Sequence, residues 1–122
     1  MDSPCRVLVI DDDEALGMTM CAALETVGYA AAFNPNAPEA LKEIETATPD
    51  LVITDILMPE ADGIEVIRRL RGKTKIIAMS AGERIGADVY LGMAQSLGAA
   101  ATLRKPFTLD ELLVLVEKVV RA

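Results

Sequence analysis

Short apolar runs recur along the chain and alternate with longer segments in which apolar residues are spaced as on a helix. Each run is about four residues long, as expected of strands that are buried on both faces of a parallel sheet. The second and fifth runs are rich in alanine, which has a lower strand propensity than valine or isoleucine. The predicted strands are residues 7–10, 30–33, 51–54, 76–79 and 100–103.

The segments between the predicted strands have apolar residues three or four positions apart, which indicates amphipathic helices. Asn36 is placed to cap the second helix, and Thr108 with Glu111 forms a capping-box pattern before the fifth. Gly28 and Gly98 are placed to end the first and fourth helices. The positions predicted to be buried are Leu16, Met20, Ala23, Leu24, Val27, Ala40, Leu41, Ile44, Ala47, Ile64, Ile67, Leu70, Tyr90, Met93, Ala94, Leu97, Leu109, Leu112, Leu113, Val116, Val119 and Val120.

Strands that alternate with helices five times predict an α/β fold in which right-handed crossovers build a doubly wound parallel sheet of five strands. The flavodoxin-like strand order 2-1-3-4-5, with five helices, is the expected topology. With 122 residues and no linker, repeat or low-complexity segment, we expect one domain over residues 1–122. Its core is predicted at about 5–121, with no output domain.

Composition excludes several classes of function. Twelve Lys and Arg against 19 Asp and Glu give a net charge of −7, which opposes direct binding to nucleic acid or to an anionic membrane. The chain has no histidine, the commonest general base and zinc ligand, so carboxylates must carry any chemistry. Cys5 and Cys21 lack a CxxC spacing, and the chain shows no signal peptide or membrane-length apolar run. A cytoplasmic protein is expected.

Polar side chains follow four of the predicted strands. Ligands of such sheets bind beyond the carboxyl ends of the strands, near the point where strand order reverses. Crowded carboxylates there require protons or a hard divalent cation, and all-oxygen ligation favours Mg²⁺, with Mn²⁺ as an alternative. A hydroxyl and an ammonium group suit a phosphoryl group. The polar residues are Asp11, Asp12, Asp13 and Glu14 after strand one, Asp55 after strand three, Ser80 after strand four and Lys105 after strand five.

Four motifs in this order resemble the receiver domain of bacterial two-component response regulators, in particular the chemotaxis-type single-domain proteins. They are Val-Leu-Val-Ile-Asp-Asp-Asp at 7–13, Asp-Leu-Val-Ile-Thr-Asp-Ile-Leu-Met-Pro at 50–59 with Asp62 and Gly63 following, Met-Ser-Ala at 79–81 and Lys-Pro-Phe at 105–107. The resemblance covers essentially the whole chain.

The resemblance implies a phosphoacceptor rather than an enzyme acting on other substrates. Asp55 would accept a phosphoryl group from a phosphohistidine on a sensor histidine kinase or histidine phosphotransferase. Asp11, Asp12, Asp55 and the backbone carbonyl of Leu57 would hold Mg²⁺. Ser80 would donate a hydrogen bond to the phosphoryl group, and Lys105 would pair with it.

Structural roles are expected for three residues at the site. From their residue types, Pro59 would shape the loop after Asp55, and Gly63 would free the backbone at the start of helix three. Pro106 would follow Lys105 through a cis peptide bond, as is usual in this family, although most X–Pro bonds are trans.

The chain departs from the family pattern at three places. Thr102 stands where many receivers have an aromatic switch residue, three positions before the lysine. The segment between Ser80 and Lys105 is longer than is typical, with the excess near residues 82–86. Leu57 and Gly82 occupy positions that tune phosphoryl lifetime in this family, and neither has a polar side chain, so slow self-dephosphorylation is expected.

Partners follow from the same resemblance. Ala15, Met18 and Ala22 form an outer apolar row on helix one that suits a kinase or phosphotransferase. A downstream protein target would bind the face made by helix four, strand five and helix five. Both a monomer and a phosphorylation-dependent dimer are compatible with the sequence.

Other interpretations of the acidic residues remain open. They could simply cap helix one in a solvated turn, with no metal. Asp11-x-Asp13 after an apolar strand also resembles haloacid-dehalogenase-type phosphatases, in which Asp11 would be the nucleophile. No acidic pair follows the fourth strand to hold Mg²⁺ in that scheme. A receiver that acts only as an unphosphorylated interaction module is a third possibility.

Overall fold

The computed structural model of the protein describes residues 4–58, 61–81 and 87–122. Its central element is a parallel five-stranded sheet in the order 2-1-3-4-5, as predicted. The strands are β1 (Arg6–Ile10), β2 (Ala30–Asn34), β3 (Leu51–Asp55), β4 (Lys75–Ala81) and β5 (Ala101–Lys105). Strand order reverses beside β1, so a ligand is expected to bind at the carboxyl ends of β1 and β3.

Helices cover both faces of the sheet. Alternate residues of β1 point to opposite faces, so that Leu8 and Ile10 pack with α2, α3 and α4 while Val7 and Val9 pack with α1 and α5. Each face has its own apolar cluster, as in doubly wound folds. The helices are α1 (Glu14–Thr26), α2 (Ala37–Thr46), α3 (Gly63–Leu70), α4 (Ala87–Leu97) and α5 (Leu109–Arg121).

Three strands extend to polar residues that were predicted to follow them. Asp55, Ser80 and Lys105 were expected after the third, fourth and fifth strands, but they are residues of β3, β4 and β5. The parallel ladder continues through the pairs Ser80–Arg104 and Ala81–Lys105, which the local apolar runs do not indicate. A short antiparallel ribbon of Leu57–Met58 and Ala61–Asp62 also lies where the sequence predicted a loop.

The predicted caps are confirmed. The Asn36 side chain accepts a hydrogen bond from the Glu39 amide at 2.9 Å, and Thr108 Oγ1 accepts one from the Glu111 amide at 3.1 Å. Gly28 has a φ of 99°, the left-handed conformation that ends a helix at low energetic cost only for glycine.

Most residues of the predicted apolar stripes are buried or half-buried, but four are exposed. Three of the four lie at helix ends. Met93 directly precedes the buried Ala94 and lies on the outer side of α4. The side chain of Tyr90 is outside the described part of the structure. The incorrectly predicted positions are Val27, Ala47, Met93 and Leu109. Across the described chain, every helix is too short or too polar to cross a membrane.

Candidate functional site

The carboxyl ends of β1 and β3 lie side by side, because Ile10 of β1 pairs with Thr54 of β3. The next residues, Asp11 and Asp55, therefore reach the same edge of the sheet. Asp11 is fully buried and Asp55 is only 5% exposed, whereas Asp12 is open to solvent. Two buried carboxyl groups this close require a compensating positive charge or a proton.

Lys105 provides a positive charge between these carboxyl groups. Its Nζ donates hydrogen bonds of 2.8 Å to Oδ2 of Asp11 and 2.8 Å to Oδ2 of Asp55. The lysine ends β5, which is separated from β3 by β4, so its side chain reaches across the edge of the sheet. Its side chain is 18% exposed, so the lysine is largely but not fully shielded from solvent.

The surroundings shift the pKa values of two of these groups. Burial raises the pKa of Asp11, and the Lys105 ammonium and the Asp13 amide offset this only in part. Burial alone would lower the pKa of Lys105, but hydrogen bonds and charges from Asp11 and Asp55 raise it overall. The folded protein thus holds the lysine protonated and makes Asp11 a weaker acid than a free aspartate.

Asp13 has a different role from its acidic neighbours. Its side chain accepts a hydrogen bond from the Leu16 amide at 3.1 Å and caps the start of α1. Its own amide donates to Oδ1 of Asp11 at 3.0 Å. The capping interpretation of the acidic run is therefore correct for Asp13.

Asp11, Asp12 and Asp55 fit a divalent cation. Each offers a carboxylate oxygen, and these oxygens lie within 4.8 Å of one another. Two oxygens bound to one Mg²⁺ lie at most about 4.2 Å apart, because each Mg–O distance is about 2.1 Å. Small side-chain rotations would close this difference. An all-oxygen donor set suits Mg²⁺ or Mn²⁺ and does not suit zinc.

Ser80 and Thr102, the two predicted switch residues, differ in burial. Ser80 is fully buried, and its Oγ has no hydrogen-bond partner among the described residues. A buried hydroxyl without a partner is uncommon and is suited to an incoming acceptor. Thr102 is the second residue of β5, is half-buried opposite Ala78, and is three residues before Lys105.

The structure describes some, but not all, of the residues that were predicted to shape the site. Gly63 begins α3 and lies against the backbone of Asp55 and Ile56. The Lys105–Pro106 peptide bond is cis. Leu57 belongs to the short ribbon, and its side chain is not described. Pro59 and Gly82, which carried predictions, lie outside the described residues.

Thr54 is a site residue that the sequence analysis missed. It is fully buried, and its Oγ1 donates a 3.0 Å hydrogen bond to the backbone carbonyl of Asp55. The available signal was a hydroxyl residue in an otherwise apolar strand, next to the candidate phosphoacceptor.

The comparisons with known sequences agree in one family. A family model described as the response regulator receiver domain matches residues 7–117. The response regulator MprA of Mycolicibacterium vanbaalenii is 35% identical over 121 residues, which are 97% of this chain and 51% of that protein. The alkaline phosphatase synthesis transcriptional regulatory protein PhoP of Bacillus subtilis is 35% identical over 118 residues, 95% of this chain and 48% of PhoP. This chain spans about half the length of these curated relatives.

Solved structures show the same fold. A putative response regulator from Chloroflexus aurantiacus superposes with a TM-score of 0.87 at 28% identity and covers 98% of this chain and 100% of its own. The chemotaxis response regulator CheY4 of Vibrio cholerae gives a TM-score of 0.84 at 25% identity, with 96% and 99% of the two chains covered. The chain therefore belongs to the family of response regulator receiver domains.

Proposed function

We propose that Asp55 is the phosphoacceptor and takes its phosphoryl group from a phosphohistidine of a sensor kinase or phosphotransferase. The observation that carries the proposal is the pair of hydrogen bonds from Lys105 Nζ to Asp11 and Asp55. These bonds place a fixed positive charge beside a nearly buried carboxylate at the sheet edge where strand order reverses.

The transfer forms an acyl phosphate. A carboxylate oxygen of Asp55 attacks phosphorus, the P–N bond of the phosphohistidine breaks, and its electron pair remains on the imidazole nitrogen. The negative charge on the phosphoryl oxygens lies near the Lys105 ammonium, which stabilises it. The Ser80 hydroxyl, without a partner among the described side chains, donates to a phosphoryl oxygen. Ser80 and Thr102 are the proposed switch residues, and Thr102 stands at the position where many receivers have an aromatic ring.

Asp11, Asp12 and Asp55 would hold the Mg²⁺, or Mn²⁺, with the carbonyl oxygen of Leu57 as a further ligand. The bound cation would neutralise charge that develops on the transferring phosphoryl group. The convergence of three carboxylates in this chain supports the site. Asp11, with its raised pKa, has to lose any proton it carries before it can act as a full ligand.

The partner surfaces are proposed from exposure and family membership. Ala15, Met18 and Ala22 are exposed on α1, and Met18 is 66% exposed, so this row is open to a kinase or phosphotransferase. A downstream protein would bind the α4–β5–α5 face, and Val89 of α4 is exposed. We propose a cytoplasmic protein that does not bind nucleic acid or membranes directly, in agreement with its net charge of −7. It acts as a monomer or as a phosphorylation-dependent dimer.

Intact-mass measurement after incubation with acetyl phosphate and Mg²⁺ tests the proposal. We expect one phosphoryl group on the wild type and none on Asp55→Asn. Asp50→Asn is the matched control, because Asp50 is exposed and pairs with the backbone amide of Arg6, and this variant should still be phosphorylated.

Other results would identify the alternatives. An adduct that maps to Asp11, is lost in Asp11→Asn and survives in Asp55→Asn would indicate phosphatase chemistry instead. No adduct on the wild type under any condition would indicate an interaction module.

A further inference from the structure

Three hydrogen bonds hold the backbone of Asp55 and Ile56. Thr54 Oγ1 donates to the Asp55 carbonyl at 3.0 Å. The Ile56 amide donates to the Met79 carbonyl of β4 at 2.9 Å, and the Gly63 amide at the start of α3 donates to the Ile56 carbonyl at 2.9 Å. The backbone that carries the Asp55 side chain is thus tied to β4 and to α3.

Gly63 approaches this peptide more closely than any other residue type could. A Cβ atom at position 63 would lie 2.7 Å from the Ile56 carbonyl oxygen, whereas ordinary contact begins near 3.4 Å. It would lie closer still to the Asp55 carbonyl oxygen and to Ile56 Cα. These neighbours are backbone atoms, which cannot rotate away as a flexible side chain can. Any side chain at position 63 must therefore displace the Asp55–Ile56 backbone or α3.

The requirement for glycine is thus different from the one expected from the sequence. Gly63 was predicted to free the backbone at the start of α3, but among the described glycines only Gly28, Gly72 and Gly98 have positive φ. At Gly63 the need is for the absence of a Cβ atom, which allows α3 to begin directly against the phosphoacceptor strand.

We propose that Gly63 and Thr54 are positioning residues for the phosphoacceptor. Gly63 sets how closely α3 packs on the Asp55–Ile56 peptide, and Thr54 holds the Asp55 carbonyl through its hydroxyl. Together they fix the direction of the Asp55 side chain, so that its carboxylate meets Lys105 Nζ. Neither residue touches the transferring group. The inference rests on the proposed function of Asp55.

Two variants test the two contacts separately. Gly63→Ala introduces the Cβ atom, and Thr54→Val removes the hydroxyl while it keeps a β-branched side chain of similar shape. Gly92→Ala is the neutral control, because a Cβ atom there would meet nothing within 4 Å apart from the adjoining residues and the backbone of its own helix. Gly17→Ala is the control for lost stability, because its Cβ atom would meet the Phe33 ring and not the Asp55 backbone.

Each variant is measured by urea unfolding, by the Mg²⁺ concentration that gives half of the maximal thermal stabilisation, and by the rate of phosphorylation with acetyl phosphate. Displacement of a reacting group by about 1 Å can slow a reaction by about 100-fold. We expect Gly63→Ala to lower the rate by about 10-fold or more and to raise the Mg²⁺ midpoint several-fold. Thr54→Val should change both in the same direction by a smaller factor. Gly17→Ala should lose stability and keep the wild-type Mg²⁺ midpoint.

The wild-type measurement separates the two proposals. If the wild type is not phosphorylated on Asp55, the proposed function is wrong. If it is phosphorylated, and both Gly63→Ala and Thr54→Val keep its rate and Mg²⁺ midpoint, the positioning roles are refuted.

The positioning roles would also be refuted if Gly17→Ala lost as much affinity for Mg²⁺ as Gly63→Ala, because general destabilisation would then explain the loss. If Gly63→Ala does not fold in buffer, it is measured in trimethylamine N-oxide, which favours compact states. Failure to fold there, with a wild-type result for Thr54→Val, would assign Gly63 to folding and overturn the proposal.

Discussion

Replacement of Lys105 by methionine removes the ammonium group and keeps most of the side-chain length. In the wild type this group lies 2.8 Å from carboxylate oxygens of both Asp11 and Asp55, and the lysine side chain is 18% exposed. Removal of one partner from a buried ion pair lowers the free energy of unfolding by about 3–5 kcal/mol. Because Lys105 is partly exposed, we expect the lower end, about 3 kcal/mol near pH 8 without divalent cations.

The loss should depend on pH in a direction set by Asp11. Burial raises the pKa of Asp11, and the variant lacks the Lys105 hydrogen bond and charge that lower it, so the pKa rises further. A carboxyl group whose pKa is raised by folding binds more protons in the folded state. Its contribution to stability is therefore present at low pH and is lost as the pH rises through the folded pKa. The difference between wild type and variant should shrink as the pH is lowered.

Urea unfolding followed by far-ultraviolet circular dichroism measures this difference, since the chain has no tryptophan. Lys118→Met, at an exposed position of α5, is the matched control and should change stability by at most about 0.5 kcal/mol. Mg²⁺ should stabilise Lys105→Met more than the wild type, because the cation replaces the missing positive charge. Lys105→Met with wild-type stability near pH 8 would refute the view that the lysine compensates the buried carboxylates.

Three further variants test local contacts by the same unfolding measurement. Lys75→Met loses hydrogen bonds of 2.7–3.0 Å to carbonyl oxygens in the last turn of α5 and at the residue that follows it. Its free energy of unfolding should fall by about 1–2 kcal/mol, and unchanged amide exchange in that turn would contradict this. Thr108→Ala should lose about 1 kcal/mol, whereas Thr108→Ser keeps the cap of α5 and should lose little. Asn34→Ala leaves the Asn36 amide without its 2.9 Å acceptor and should lose about 1–3 kcal/mol, and wild-type stability would argue against that bond.

The order of the elements and the strand order of the sheet could be predicted from the sequence. Strands buried on both faces are continuous apolar runs, and helices that pack on a sheet show apolar residues at helical spacing, so both signals are local. The caps at Asn36 and Thr108 were predictable for the same reason, because each acts on an amide only three residues away.

Element ends were less predictable. Ser80 and Lys105 lie within strands because β4 and β5 pair with each other through the pairs Ser80–Arg104 and Ala81–Lys105. Val27 and Leu109 have the spacing of buried residues but lie at helix ends, where their side chains are 55% and 40% exposed. Pairing and exposure depend on neighbours that are distant in sequence.

By itself the sequence determined which charged residues stand at or near the carboxyl ends of the strands, because an apolar run followed by charged residues is a local pattern. It therefore predicted that Asp11, Asp55 and Lys105 lie at one edge of the sheet. Only the tertiary structure decided which atoms meet there. Lys105 is 94 residues from Asp11, and its bonds to both carboxylates depend on the sheet that brings β1, β3 and β5 together. The need for Gly63 likewise depends on the backbone that lies opposite it, which no local pattern contains.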